Sequence, residues 1–79
     1  MTIEQMQTIG TRVATICDAS LYGDPKLENG VWTVGFKQHK EMMALEVNFP
    51  DRDIAKDNDL NRAELDLERT MKSAIFLSR

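Results

Sequence analysis

Residues 26–49 read KLENGVWTVGFKQHKEMMALEVNF, and the pair Asn29-Gly30 near the start decides how the rest must pair. Asn-Gly is the preferred two-residue type I′ connection between antiparallel strands. With this pair at the tip, Glu28 faces Val31 and Leu27 faces Trp32. Downstream, Trp32, Val34 and Phe36 alternate onto one face, and Met43, Leu45, Val47 and Phe49 alternate likewise after a polar stretch from Lys37 to Glu41. Pairing Phe36 with Met43, Val34 with Leu45 and Trp32 with Val47 keeps the large apolar residues on one side. A one-residue slip would turn one strand's set into water. The second connection must therefore contain an even number of residues. Because His39-Lys40 is poor type I′ chemistry, the four residues Gln38 to Glu41 are the expected loop.

Upstream of this meander, Ile3, Met6, Ile9, Val13, Ile16, Cys17 and Leu21 recur at helical spacing, with Glu4, Thr8, Thr11, Arg12 and Thr15 opposite them. Thr2 is placed to cap this helix, and Tyr22-Gly23-Asp24-Pro25 breaks the pattern, so the helix is expected to end near Ser20. Gly10 falls on the apolar face with Ala14 and Cys17, which lets the helix backbone approach what it covers. Downstream, Leu60, Ala63, Leu67, Met71, Ala74 and Ile75 describe a second helix, with Asn61 and Glu64 spaced as a capping box at its start. Arg62 with Asp66 and Glu68 with Lys72 add helical ion pairs worth about 0.2–0.5 kcal/mol each. Leu65 and Phe76 fall off the stripe; Leu65 reads as a surface residue and Phe76 as wrapping the core at the helix end.

The resulting order is α-β-β-β-α. One apolar sheet face and two amphipathic helices make a two-layer α+β sandwich the economical solution, in a single domain over residues 1–79. The element order resembles that of double-stranded-RNA-binding domains. That resemblance implies a basic second-helix start that straddles phosphates, whereas Asp57-Asn58-Asp59-Leu60-Asn61-Arg62 is acidic here. With a formal net charge of −3 the chain offers no bulk attraction to a polyanion or an anionic membrane.

The 79 residues, 42 % hydrophobic and 29 % charged, fit a small folded domain whose modest core makes self-association a natural way to bury more surface. Cys17 is the only cysteine, which excludes an intramolecular disulfide and suits the cytoplasm. No run of apolar residues reaches membrane-spanning length. Asp57, Asp59, Asn61 and Glu68 match the oxygen positions of a calcium loop, but the sixth position holds Arg62 where the turn needs Gly, so neither metal nor other cofactor is expected. Cys17 lies on the apolar stripe and reads as a small core residue. His39 is the only histidine and reads as an exposed turn residue, so no catalytic constellation is expected.

Recognition by surface remains. The third strand, residues 41–49, has an open edge free of internal lysine and proline, which fits pairing with the same strand of a second copy. The outward sheet face carries Val31, Thr33, Met42, Ala44 and Glu46, and the acidic stretch contributes Asp57, Asp59 and Glu64. The expected function is a small non-catalytic protein-binding module, of the kind phages and mobile elements use to inhibit host enzymes or defence complexes, anti-CRISPR proteins included. It would act by occlusion or by acidic mimicry of nucleic acid. The alternative is a nucleic-acid or small-anion site at Lys37, His39 and Lys40.

Overall fold

A computed structural model describes residues 1–40, 42–55 and 57–77 of the chain. The elements are α1 (Ile3–Ile16), β1 (Ala19–Leu21), β2 (Lys26–Glu28), β3 (Val31–Gln38), β4 (Ala44–Pro50) and α2 (Asp57–Leu77). The architecture is α+β: four antiparallel strands in one sheet, with both helices packed on the same face. The side chains of Trp32, Val34, Phe36, Val47 and Phe49 share one core with Met6, Ile9 and Val13 of α1 and Leu67 and Met71 of α2.

The Asn29-Gly30 turn forms as read. Both residues have positive φ, 52° and 75°, which is what a type I′ turn requires, and Glu28 and Leu27 pair with Val31 and Trp32. The β3–β4 register differs from the expected one by two residues: Phe36 faces Leu45, Val34 faces Val47 and Trp32 faces Phe49. Parity is unchanged, so the same side chains point inward. The slide carries Phe49, 2 % exposed, into the core opposite Trp32. Met43 moves to the strand's end, where its carbonyl accepts from the Gln38 N–H at 2.9 Å. The connection keeps four residues but comprises 39–42, with Met42 in the left-handed region at φ 54°. Glu41, placed at the start of the last strand by the sequence pattern, lies outside the described residues.

Thr2 caps α1 through a full capping box with Gln5. The helix stops at Ile16, earlier than its apolar spacing suggests, because Asp18 turns left-handed at φ 56° and residues 19–21 become β1. Ile16 is consequently 54 % exposed, outside the core. The first strand of the meander is thus split into β1 and β2, both paired to the same edge of β3. Leu21 faces Phe36 and Lys26 faces Thr33, so four residues, 22–25, span the two positions 34–35. This bulge brings the Tyr22 backbone against β3, where its N–H donates to the Gly35 carbonyl at 2.8 Å. A Cβ at residue 35 would stand 2.7 Å from the Tyr22 carbonyl oxygen, so glycine is required there by contact.

The second helix begins at Asp57, four residues before Asn61, and places Asp59 in its first turn, where the helix dipole favours acids. The Glu68–Lys72 pair forms at 3.4 Å, whereas Asp66 bonds Arg52 at 2.9 Å in place of Arg62. Between β4 and α2, the Asp51 carboxylate accepts from the terminal ammonium of Met1 at 2.9 Å and from the buried indole N–H of Trp32 at 2.8 Å. These bonds, the ammonium first and the indole second, hold the Asp51 carboxyl below its ordinary range. Because the folded value is the depressed one, the contribution is present above the unfolded carboxylate value, about 3.9, and is lost as pH falls below it. Replacing Asp51 with Ala leaves the Trp32 N–H without its acceptor. It is expected to cost about 1–3 kcal/mol at pH 7 and progressively less as pH falls through the depressed folded value, read from urea midpoints measured at neutral and at successively lower pH.

Candidate functional site

The two helices run in the same sense. Arg12 of α1 meets Glu64 of α2 at 3.0 Å, and further along both chains Cys17 lies beside Lys72 and Phe76. At about 1.5 Å per residue the 14 residues of α1 span about 21 Å and the 21 of α2 about 32 Å, so the last turn of α2 overhangs the end of α1. Phe76 and Leu77 are therefore 75 % and 78 % exposed, in contrast to the core role expected for Phe76. Ile16, at the end of α1, is exposed as well. Phe76 also lines an open cavity of about 250 Å³, together with Cys17, Gln38, Lys72 and Ile75.

Each wall has a simple chemical character. Burial pushes the Cys17 thiol up from its usual value, with Lys72 opposing and Glu68 reinforcing the rise, so the thiol stays protonated and unreactive. The Lys72 ammonium is partnered by Glu68. Gln38 continues the inward row of β3 after Trp32, Val34 and Phe36 and is 7 % exposed. Its side-chain Oε1 is buried without a hydrogen-bond partner. A buried acceptor in that state is destabilising until a donor reaches it.

On the opposite sheet face, β1 brings three polar residues together that the sequence reading left apart. The Ser20 hydroxyl lies 2.6 Å from His39 Nε2, and His39 Nδ1 lies 3.3 Å from the Asp18 carboxylate. The His39 N–H also donates to the Asp18 carbonyl at 3.1 Å, extending the β1–β3 ladder by one pair. This order of groups can polarise a serine hydroxyl. Here it sits in the open, with the His39 and Asp18 side chains 54 % and 66 % exposed, so water screens the relay and competes for each bond.

The expected binding residues fall on separate layers. Val31, Ala44 and Glu46 are exposed on the outward sheet face, where Thr33 bonds Asn48 at 3.4 Å, and Met42 is 69 % exposed in the 39–42 loop. Asp59 and Glu64 belong to α2 on the other layer, and Glu64 is paired with Arg12. The side chain of Asp57 lies outside the described residues. Of the alternative anion site, Lys37 is half-buried opposite Ala44, Lys40 is exposed in the turn, and His39 has the Asp18 carboxylate beside it, which opposes anion capture. Among the described residues no helix is long and apolar enough to cross a membrane. Compared with protein-family models, curated proteins and solved structures, the chain matches none.

Proposed function

We propose that the chain is a small non-catalytic protein-binding module that acts by occluding a partner's surface, as inhibitors of host enzymes or defence complexes carried by mobile elements do. The observation that carries this reading is the exposure of three large apolar side chains at the helix ends, Ile16 of α1 and Phe76 and Leu77 of α2, with Phe76 also lining an open cavity. Large apolar side chains left in water mark an interaction surface when they adjoin one another. The acidic-mimicry version has less support, because Glu64, Asp66 and Glu68 are each neutralised by a cation of the same chain. Pairing of two copies through the β4 edge belongs to the same class of reading.

The test is affinity capture from a cell lysate with three immobilised forms. The parent chain is expected to retain a defined protein that the Phe76→Ser/Leu77→Ser variant loses and the Asp57→Lys/Asp59→Lys/Glu64→Lys variant keeps. Loss only with the charge-reversed form would transfer binding to the acidic helix start. No captured protein, together with a monomer by sedimentation at micromolar concentration, would remove the protein-binding reading altogether.

A further inference from the structure

We propose that Ser20 is a modification site, a nucleophilic serine that takes one short acyl group from a small activated ester. It lies on the sheet face away from the helices and does not rest on the protein-binding reading. Register and parity assemble the site. Ser20 pairs with Lys37, and one step further along the same ladder the His39 N–H donates to the Asp18 carbonyl. Paired residues share a face, and the buried side chains here, Ala19, Phe36 and Gln38, have the opposite parity. Asp18, Ser20, Lys37 and His39 are thus four corners of one outward patch. Asp18 occupies its corner in the left-handed backbone region, at φ 56°, which is uncommon for a residue with a side chain; such outliers gather at functional sites.

The direction of the side-chain bonds follows from the donors available. A carboxylate only accepts, so His39 Nδ1, 3.3 Å from Asp18, carries the ring proton. Nε2 is left as a base and receives the Ser20 O–H at 2.6 Å. When an aryl ester approaches, Oγ bonds to its carbonyl carbon while the hydroxyl proton passes to Nε2. Lys37, paired with Ser20 across the ladder, supplies a cation on that face for the charge gathering on the carbonyl oxygen. The bond to the aryloxide then breaks, the aryloxide takes the proton back from Nε2 and leaves as the phenol, and Ser20 keeps the acyl group. Water slows this relay relative to an enclosed one. The same openness lets an ester reach the exposed Ser20 hydroxyl.

The probe is p-nitrophenyl acetate, with the chain quenched in acid, digested and mapped by mass. Ser20 is expected to gain an acetyl group about a hundredfold faster than exposed Ser73 of the same chain, the low end of what a positioned base supplies. This internal ratio does not depend on any variant. His39→Ala should bring Ser20 down to the rate of Ser73, and imidazole added to the open site should restore part of the loss. Asp18 acts as a positioning residue. Asp18→Asn, which suits the left-handed backbone, should slow Ser20 about tenfold, the yield of one hydrogen bond, and shift the His39 ring ¹⁵N signals toward the other tautomer. Acetylation of Ser20 no faster than of Ser73, or a rate unchanged by His39→Ala, overturns the proposal. Loss in His39→Ala that imidazole does not restore overturns the base role, and an unchanged tautomer and rate in Asp18→Asn overturn the positioning role.

Discussion

Phe36→Ala is expected to remove about 3–5 kcal/mol of stability. The ring has no exposure to solvent and sits at the centre of the sheet, with Leu21 as its partner on one side and Leu45 on the other. The loss combines the ring's transfer free energy with that of the cavity it leaves, because neighbouring backbones are held by ladder bonds and cannot close fully. A domain of 79 residues has roughly 4–12 kcal/mol in total, so the variant should be largely unfolded near 37 °C. Urea denaturation followed by Trp32 fluorescence measures it, with Leu65→Ala as the control. Leu65 is 55 % exposed on α2, and its truncation is expected to stay within about 0.5 kcal/mol. A Phe36→Ala midpoint as close to the parent's as that of the control would contradict the core described.

Gly35→Ala comes second, at about 2–4 kcal/mol. A single methyl group there meets the Tyr22 carbonyl oxygen at 2.7 Å, a backbone atom that no rotamer change can move. Relief requires the bulge to lift from β3, which strains the contact and lengthens the Tyr22-to-Gly35 hydrogen bond; overpacking of this kind costs about 1–3 kcal/mol and the bond about 1 kcal/mol more. Faster amide exchange should appear at Tyr22 and in β1 before it appears in β4. Alanine elsewhere in a β-strand is normally preferred to glycine, so a stabilised variant would show that the two backbones stand further apart.

The parity of the sheet was legible from residues 26–49 because one wrong step exposes a whole strand. The absolute β3–β4 register was not, since a slide of two residues leaves every side chain on its own face and only the cost of leaving Phe49 outside decides. β1 was hidden for a different reason. Ala19, Ser20 and Leu21 are too few to show alternation, and Ile16, Cys17 and Leu21 continue the helical spacing of α1 past the point where Asp18 turns the chain. The nearness of Ser20, His39 and Asp18 depends on that strand, so it was equally invisible. The inward parity of Gln38 could have been read from Trp32, Val34 and Phe36, and a polar residue on a buried row is a signal in itself. The missing partner for its oxygen depends on the packing around it, which no spacing rule contains.

The bulge at residues 22–25 has a consequence for assembly. Growth of a sheet into a fibre requires two pairable edges per molecule, one to give and one to receive. On one side of this sheet the edge is divided into two three-residue pieces whose registers against β3 differ by two residues, so an incoming strand cannot follow both. Only β4, with β3 on its inner side, presents an unbroken run. Pairing of two copies through β4 would therefore use up the unbroken edge of each, and the same irregularity that demands a glycine at position 35 leaves the other edge a poor template for a further strand.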